Sequence, residues 1–204
     1  MANAKKSLNT SSSNNSDNHA RFIPVDTKTI INWVIQDVSF CKCKGTAKIR
    51  EFCNNYDIDL RNGIWDDENI AGIIKKDSDN WTLKVNESYS IKQKKFIVAH
   101  QLGHWFSYRY KGRSYEIFKK QNCHIDYILN NNPITQEEAE ADFEANKIAL
   151  EILIPENEVR DLFEKNKDKI DYLANFFEVS QLTMIARLQN LGLIHRYFEN
   201  NLFQ

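Results

Sequence analysis

The chain has 204 residues, with 27 Lys plus Arg against 28 Asp plus Glu and an apolar fraction of 42%, of which the aromatic residues make up 12% of the chain. That length suits one domain with at most a small appendage, and that composition supports a packed core and excludes a wholly disordered chain. A formal net charge of −1 removes the general attraction for phosphate that nucleic-acid binders show, while leaving room for a local basic patch.

No stretch approaches the ~18 consecutive apolar residues of a membrane span, and the N-terminus lacks the apolar run of a secretory signal, so the expectation is a cytoplasmic protein with no membrane partner. Cys41, Cys43, Cys53 and Cys123 are too few and too irregular for a disulfide scaffold and are read as thiols. Cys41-x-Cys43 with Cys53 lacks the knuckle spacing and an evident fourth ligand, so a second, structural zinc site is not expected.

Residues 1–20 are dominated by Ser, Asn, Lys and Asp without hydrophobic period and read as a disordered tail. From Thr27, Ile30, Ile31, Val34 and Val38 recur at helical spacing, and a second helix is expected from Thr46 to Tyr56, with a turn at Cys41 to Gly45 between them. Three short stretches follow near Asp57–Trp65, Ile70–Lys75 and Asn80–Asn86. Trp81, Leu83 and Val85 alternate with polar residues, which predicts a small antiparallel sheet.

Lys92 to about Tyr110 is the next predicted helix, followed by a polar loop through Cys123 to the Asn130-Asn131-Asn132-Pro133 breaker. A long helix then starts after Thr135, with acids in its first turns where the helix dipole favours them, and Pro155 stops it. Short helical stretches fill 156–201. The domain reading is therefore a tail at 1–20, a main domain at 21–155 and a C-terminal helical module at 156–204.

Chemistry concentrates on the segment Phe96-Ile97-Val98-Ala99-His100-Gln101-Leu102-Gly103-His104-Trp105-Phe106. Helical positions four apart share a face, so His100 and His104 can direct two imidazole nitrogens at one point with the spacing a tetrahedral zinc ion accepts. This is the geometry of the HExxH metallopeptidase helix with one letter changed. The helix is otherwise apolar, and buried polar rings need partners, which a metal supplies.

A third ligand is expected from the helix carrying Glu138, Asp142 and Asn146, which are spaced by four and share a face. Either Glu138 ligates and Asp142 supports a ligand histidine from behind, or Asp142 ligates and Asn146 gives that support. Glu137, Glu140 and Glu144 read as a solvated acidic face.

The stretch FIVAHQLGHWF followed by EAEADFEANKIALEILIP resembles the ImmA/IrrE family of zinc metallopeptidases, in which an AHELGH helix precedes an ExxANxFAxxLLxP helix. The resemblance covers roughly Asp57 to Pro155. It extends into DYLANFFEVSQLTMIARLQNLGLI, which is similar to the family's LAxxFxVSxxxxxxRLxxLGL segment. It implies an α+β, mainly helical, zincin-like fold, one zinc ion per chain, and site-specific cleavage of a helix-turn-helix transcriptional repressor in a stress or DNA-damage response. Registering the helices on Asn146 and Pro155 puts Asp142 at the third-ligand position, normally Glu, with Glu138 as the alternative.

Gln101 stands where the family has its catalytic Glu. That carboxylate takes a proton from the attacking water and returns it to the leaving amine, and an amide of nearly the same shape cannot hold the proton. The chain as written should bind metal and substrate and cut slowly or not at all. Two explanations compete, an engineered Glu-to-Gln replacement in an active peptidase and a natural pseudopeptidase; the intact surroundings favour the first.

Secondary candidates complete the reading. Cys123 could reach the metal's open position as an inhibitory thiolate, although an ordinary loop cysteine is the simpler reading. His124, Tyr108 and Tyr110 are candidates for stabilising an oxyanion. Lys92, Lys94, Lys95, Arg109, Lys111, Arg113, Lys119 and Lys120 make the centre locally basic, as a solvated face or a surface for an acidic partner or a nucleic acid acting as trigger. In the C-terminal module, Leu173-Ala174, Phe177, Val179-Ser180 and Arg187-Leu188 form a pattern also found in helix-turn-helix modules. Its few cations favour packing or substrate docking over DNA reading.

Overall fold

The computed structural model of the chain describes residues 26–32, 46–65, 70–77, 80–111, 118–121, 136–167 and 169–194; the tail at 1–20, the turn at 41–45 and the loop bearing Cys123 and His124 lie outside them. The described elements are α1 (27–32), α2 (Thr46–Asn55), β1 (Ile58–Gly63), β2 (Ile70–Asp77), β3 (Asn80–Asn86), α3 (Ile91–Lys111), β4 (Phe118–Gln121), α4 (Gln136–Leu153), α5 (Glu156–Lys165), α6 (Ile170–Phe176) and α7 (Gln181–Asn190). The fold is α+β and mainly helical, as the hydrophobic periods imply.

The described strands form one sheet in the order β1-β3-β2-β4. β2 and β3 pair antiparallel, Ile74 opposite Leu83. The sheet is mixed rather than wholly antiparallel, because β1 lies beside β3 and runs parallel to it, with Ile58 opposite Trp81 and Leu60 opposite Leu83. Period-two alternation reports which face a residue occupies and says nothing of strand direction. Here β3 sits between β1 and β2, which run in opposite senses, so a strand antiparallel to β2 must be parallel to β1. The fourth strand, β4, falls inside the stretch that reads as a polar loop; four residues are too few to show a period. It pairs with the other edge of β2, Gly72 opposite Lys120, across an irregularity between Ile70 and Gly72.

α3 begins on a capping box. Ser90 donates its backbone N–H (3.0 Å) and its hydroxyl (2.7 Å) to Gln93 Oε1, and Gln93 N–H returns to Ser90 Oγ at 3.4 Å. Nearly the whole circumference of α3 is buried, with Phe96, Ile97, Leu102, Trp105 and Phe106 in the core. Trp105 packs edge-on against Tyr56, Phe52 and Trp81, with ring centroids 5.0, 6.4 and 6.3 Å away.

Two glycines set how closely α3 is held. A Cβ on Gly72 would lie 2.4 Å from Ile97 Cγ2, so its absence lets α3 settle on β2. A Cβ on Gly103 would lie 2.6 Å from the Ala145 carbonyl oxygen, so α3 and α4 cross backbone to backbone.

The C-terminal helices are fastened to both of these long helices. Arg187 of α7 donates from Nε to the Ile154 carbonyl at 2.9 Å and forms a buried ion pair with Glu151 of α4. Lys95 of α3 is buried and paired with Glu178, which corrects the expectation of a solvated face at that lysine. Arg187, a cation weighed for DNA contact, is therefore internal. Among the described residues no helix is long and apolar enough to cross a membrane.

Candidate metal centre

One turn of α3 brings His100 and His104 together, their Nε2 atoms 3.0 Å apart. Asp142 of α4 meets them from across the helix crossing, with Oδ1 at 3.1 Å from His104 Nε2 and 3.5 Å from His100 Nε2. Among the described residues this is a group of three side chains whose donor atoms could hold a metal ion. Bonds of roughly 2.0–2.1 Å to a tetrahedral ion require ligand atoms about 3.3 Å apart. The observed triangle straddles that value, so the donor set fits zinc in spacing as well as in chemistry.

The tautomer of His100 is set from behind. Its Nδ1 donates to Asn146 Oδ1 at 2.7 Å, which leaves the Nε2 lone pair facing His104 and Asp142. Asn146 thus backs His100 on the side away from Asp142 and His104. Burial is graded across the site, with the His100 side chain fully buried and Asp142 32% exposed. The group thus opens toward solvent on the Asp142 side. The close Gly103–Ala145 crossing explains how an acid one methylene shorter than Glu still reaches both histidines.

Gln101 is fully buried, its Nε2 donating to the Gly72 carbonyl of β2 at 3.3 Å. Its Oε1 has no hydrogen-bond partner among the described residues. Gln101 is thus an amide tied to β2 beside the irregularity in the β2–β4 pairing.

Glu138 lies in α4, but its side chain is outside the described residues, as are Cys123 and His124. Tyr110 stacks on Phe106 at 5.9 Å between centroids, and Tyr108 packs on Trp81 at 5.3 Å. Six residues beyond His104, Tyr110 lies about 240° around the helix from it, on a face turned toward aromatic packing. Cys53 is buried, and desolvation pushes its thiol up to about 12 despite the nearby charge of Arg50, so it is an inert core thiol.

Glu144 is the residue that sequence reasoning missed. Instead of lying on a solvated face it is buried, accepting from Ser107 Oγ at 2.9 Å and from Thr27 Oγ1 at 2.5 Å. A usable signal was its place between Ala141 and Ala145 on the helix that must approach α3, opposite Ser107 one turn beyond His104.

The family model for the IrrE N-terminal-like domain, Peptidase_M78, matches residues 54–189, more than half of the chain. No curated protein matches the sequence at a significant level. Among solved structures, a Mycobacterium tuberculosis transcriptional regulator shares the fold with a TM-score of 0.55 at 16% identity, over 78% of this chain and 46% of that one. The chain therefore spans less than half the length of that regulator.

Proposed function

The chain belongs to the IrrE N-terminal-like peptidase family, Peptidase_M78, and from that premise we propose that it is a zinc-dependent metallopeptidase by design whose present form captures its substrate and cuts it very slowly or not at all. The observation that carries this reading is the convergence of His100, His104 and Asp142 within one coordination distance. One zinc ion held there would supply Lewis-acid polarisation of a scissile carbonyl and of an attacking water.

The chain's own groups do the rest. Asn146 holds the proton of His100 on Nδ1 and so keeps Nε2 available as a donor atom. Asp142, as the solvent-facing member, marks the side from which a peptide enters. β4 forms an edge of the described sheet beside β2, whose Gly72 accepts from Gln101, and the proposed binding mode is an extended peptide added to that edge. Gln101 can donate or accept a hydrogen bond but cannot hold a proton drawn from water.

The substrate proposed is an extended segment of a helix-turn-helix transcriptional repressor, cut in the cytoplasm in a stress or DNA-damage response. The family resemblance supports it, and the M. tuberculosis fold neighbour, a transcriptional regulator, is in keeping with a regulatory setting. A natural pseudopeptidase that captures the repressor without cutting it is the second reading. It is favoured by the Gln101–Gly72 hydrogen bond, because a carboxylate in the same place would set two acceptors against each other.

Gln101→Glu tests both readings. The variant and the unmodified chain are incubated with a candidate helix-turn-helix repressor, with and without a zinc chelator. Chelator-sensitive cleavage by the variant alone supports the peptidase. Tight binding by both and cleavage by neither supports the pseudopeptidase.

A further inference from the structure

We propose that Glu144 is a positioning residue for the metal centre, locking the rotation of α4 against α3 with Thr27 of α1 as its outer anchor. The inference rests on reading His100, His104 and Asp142 as metal ligands and concerns what keeps them convergent.

Successive helical residues are 100° apart, so Glu144 projects about 200° from both Asp142 and Asn146. The Gly103–Ala145 contact lies between these directions. On one side of that crossing Asn146 meets His100 and Asp142 meets His104; on the other, Glu144 Oε2 accepts from Ser107, three residues beyond His104. A helix tied on one side of its contact line can roll about it, whereas one tied on both sides cannot. A roll of about 10° would carry a carboxylate ~6 Å from the helix axis through about 1 Å, several times the tolerance of roughly 0.2 Å on a ligand distance.

The second oxygen of Glu144 takes the hydroxyl of Thr27. Thr27 opens α1, whose first turn is capped by Asp26, with Thr29 N–H donating to Asp26 Oδ1 at 2.7 Å. This part of the chain precedes residues 54–189, the span of the family match. The buried carboxylate thus joins three helices at one point, and hydroxyl donors on both oxygens keep it satisfied.

The test measures metal binding on folded, full-length protein. Zn2+ affinity is read by chelator competition and ligand geometry by the visible absorption of bound Co2+, both for the unmodified chain and for Glu144→Ala, Glu144→Gln, Ser107→Ala and His100→Ala. Glu144→Ala is expected to lose about tenfold or more in Zn2+ affinity and to alter the Co2+ spectrum at saturation, on the scale of groups that orient ligands. Glu144→Gln, which can still meet both hydroxyls, should stay within about threefold.

Should Glu144→Ala fail to fold, Ser107→Ala decides, because it cuts only the bond to α3; a loss of about threefold or more is expected. A folded Glu144→Ala or Ser107→Ala protein with unchanged affinity and spectrum overturns the positioning role. If the unmodified chain itself binds no better than His100→Ala, the metal reading has failed instead, and that outcome is distinct because it does not depend on residue 144.

Discussion

Gly103→Ala is the substitution whose consequence follows most directly from the helix crossing. The added methyl would lie 2.6 Å from the Ala145 carbonyl oxygen, 2.7 Å from its Cα and 3.0 Å from its carbonyl carbon. Ordinary contact needs roughly 3.5 Å, and because every offending atom is backbone, none can turn aside. α3 and α4 must therefore separate by roughly 0.8 Å at the crossing. Overpacking of this kind costs about 1–3 kcal/mol, and the upper end applies where backbone is struck. Alanine recovers about 1 kcal/mol of helix propensity. The balance is a loss of about 2 kcal/mol, read by urea unfolding. The same displacement moves Asp142 off the histidines by more than a ligand distance tolerates, so Zn2+ affinity should fall more than tenfold in chelator competition. Unfolding within about 0.5 kcal/mol of the unmodified chain, with zinc affinity within about twofold, would refute the reasoning.

Arg187→Ala leaves the buried Glu151 carboxylate without its guanidinium and should cost about 3–5 kcal/mol in urea unfolding, with Glu151→Leu/Arg187→Met recovering most of it; a loss under about 1 kcal/mol would show that the pair does not join α4 to α7. Cys53 should resist thiol reagents at pH 8 until the chain unfolds, and rapid native labelling would contradict its burial. With the folded thiol raised from 9.0 to about 12, its contribution is complete below pH 9 and lost between pH 9 and 12, as the unfolded chain gives up a proton that the folded chain keeps. The slope is about 1.4 kcal/mol per pH unit, so Cys53→Ala should lose less stability than the unmodified chain between pH 8 and 10.5. Parallel pH profiles for the two proteins would refute this.

The helices and most strands were legible because their periods are strong. Pro155 marks the end of α4, and the alternation of Trp81, Leu83 and Val85 marks β3, whereas the Ser90 cap of α3 emerges only in the structure. Strand direction was hidden, since the pairing of β1 with β3 across an intervening segment is a tertiary choice that no local pattern records. The polar strand β4 carried no period at all. Within the site, the spacing of His100, His104, Asp142 and Asn146 was readable because helical geometry alone puts them on facing stripes. Glu144 and Lys95 were misread as solvated because composition assigns charges to the surface, and only the packing of α1 and of the C-terminal helices buries them. The hold of Gly72 on Gln101 likewise depends on how closely α3 lies on β2, which a sequence does not display.

Elemental analysis and zinc titration of the purified full-length protein, beside His100→Ala, His104→Ala and Asp142→Ala, address the coordination site directly. About one zinc per chain is expected, with binding lost or sharply weakened in each of the three variants. A chain that takes up no zinc, or variants that bind it as tightly as the original, would contradict the account.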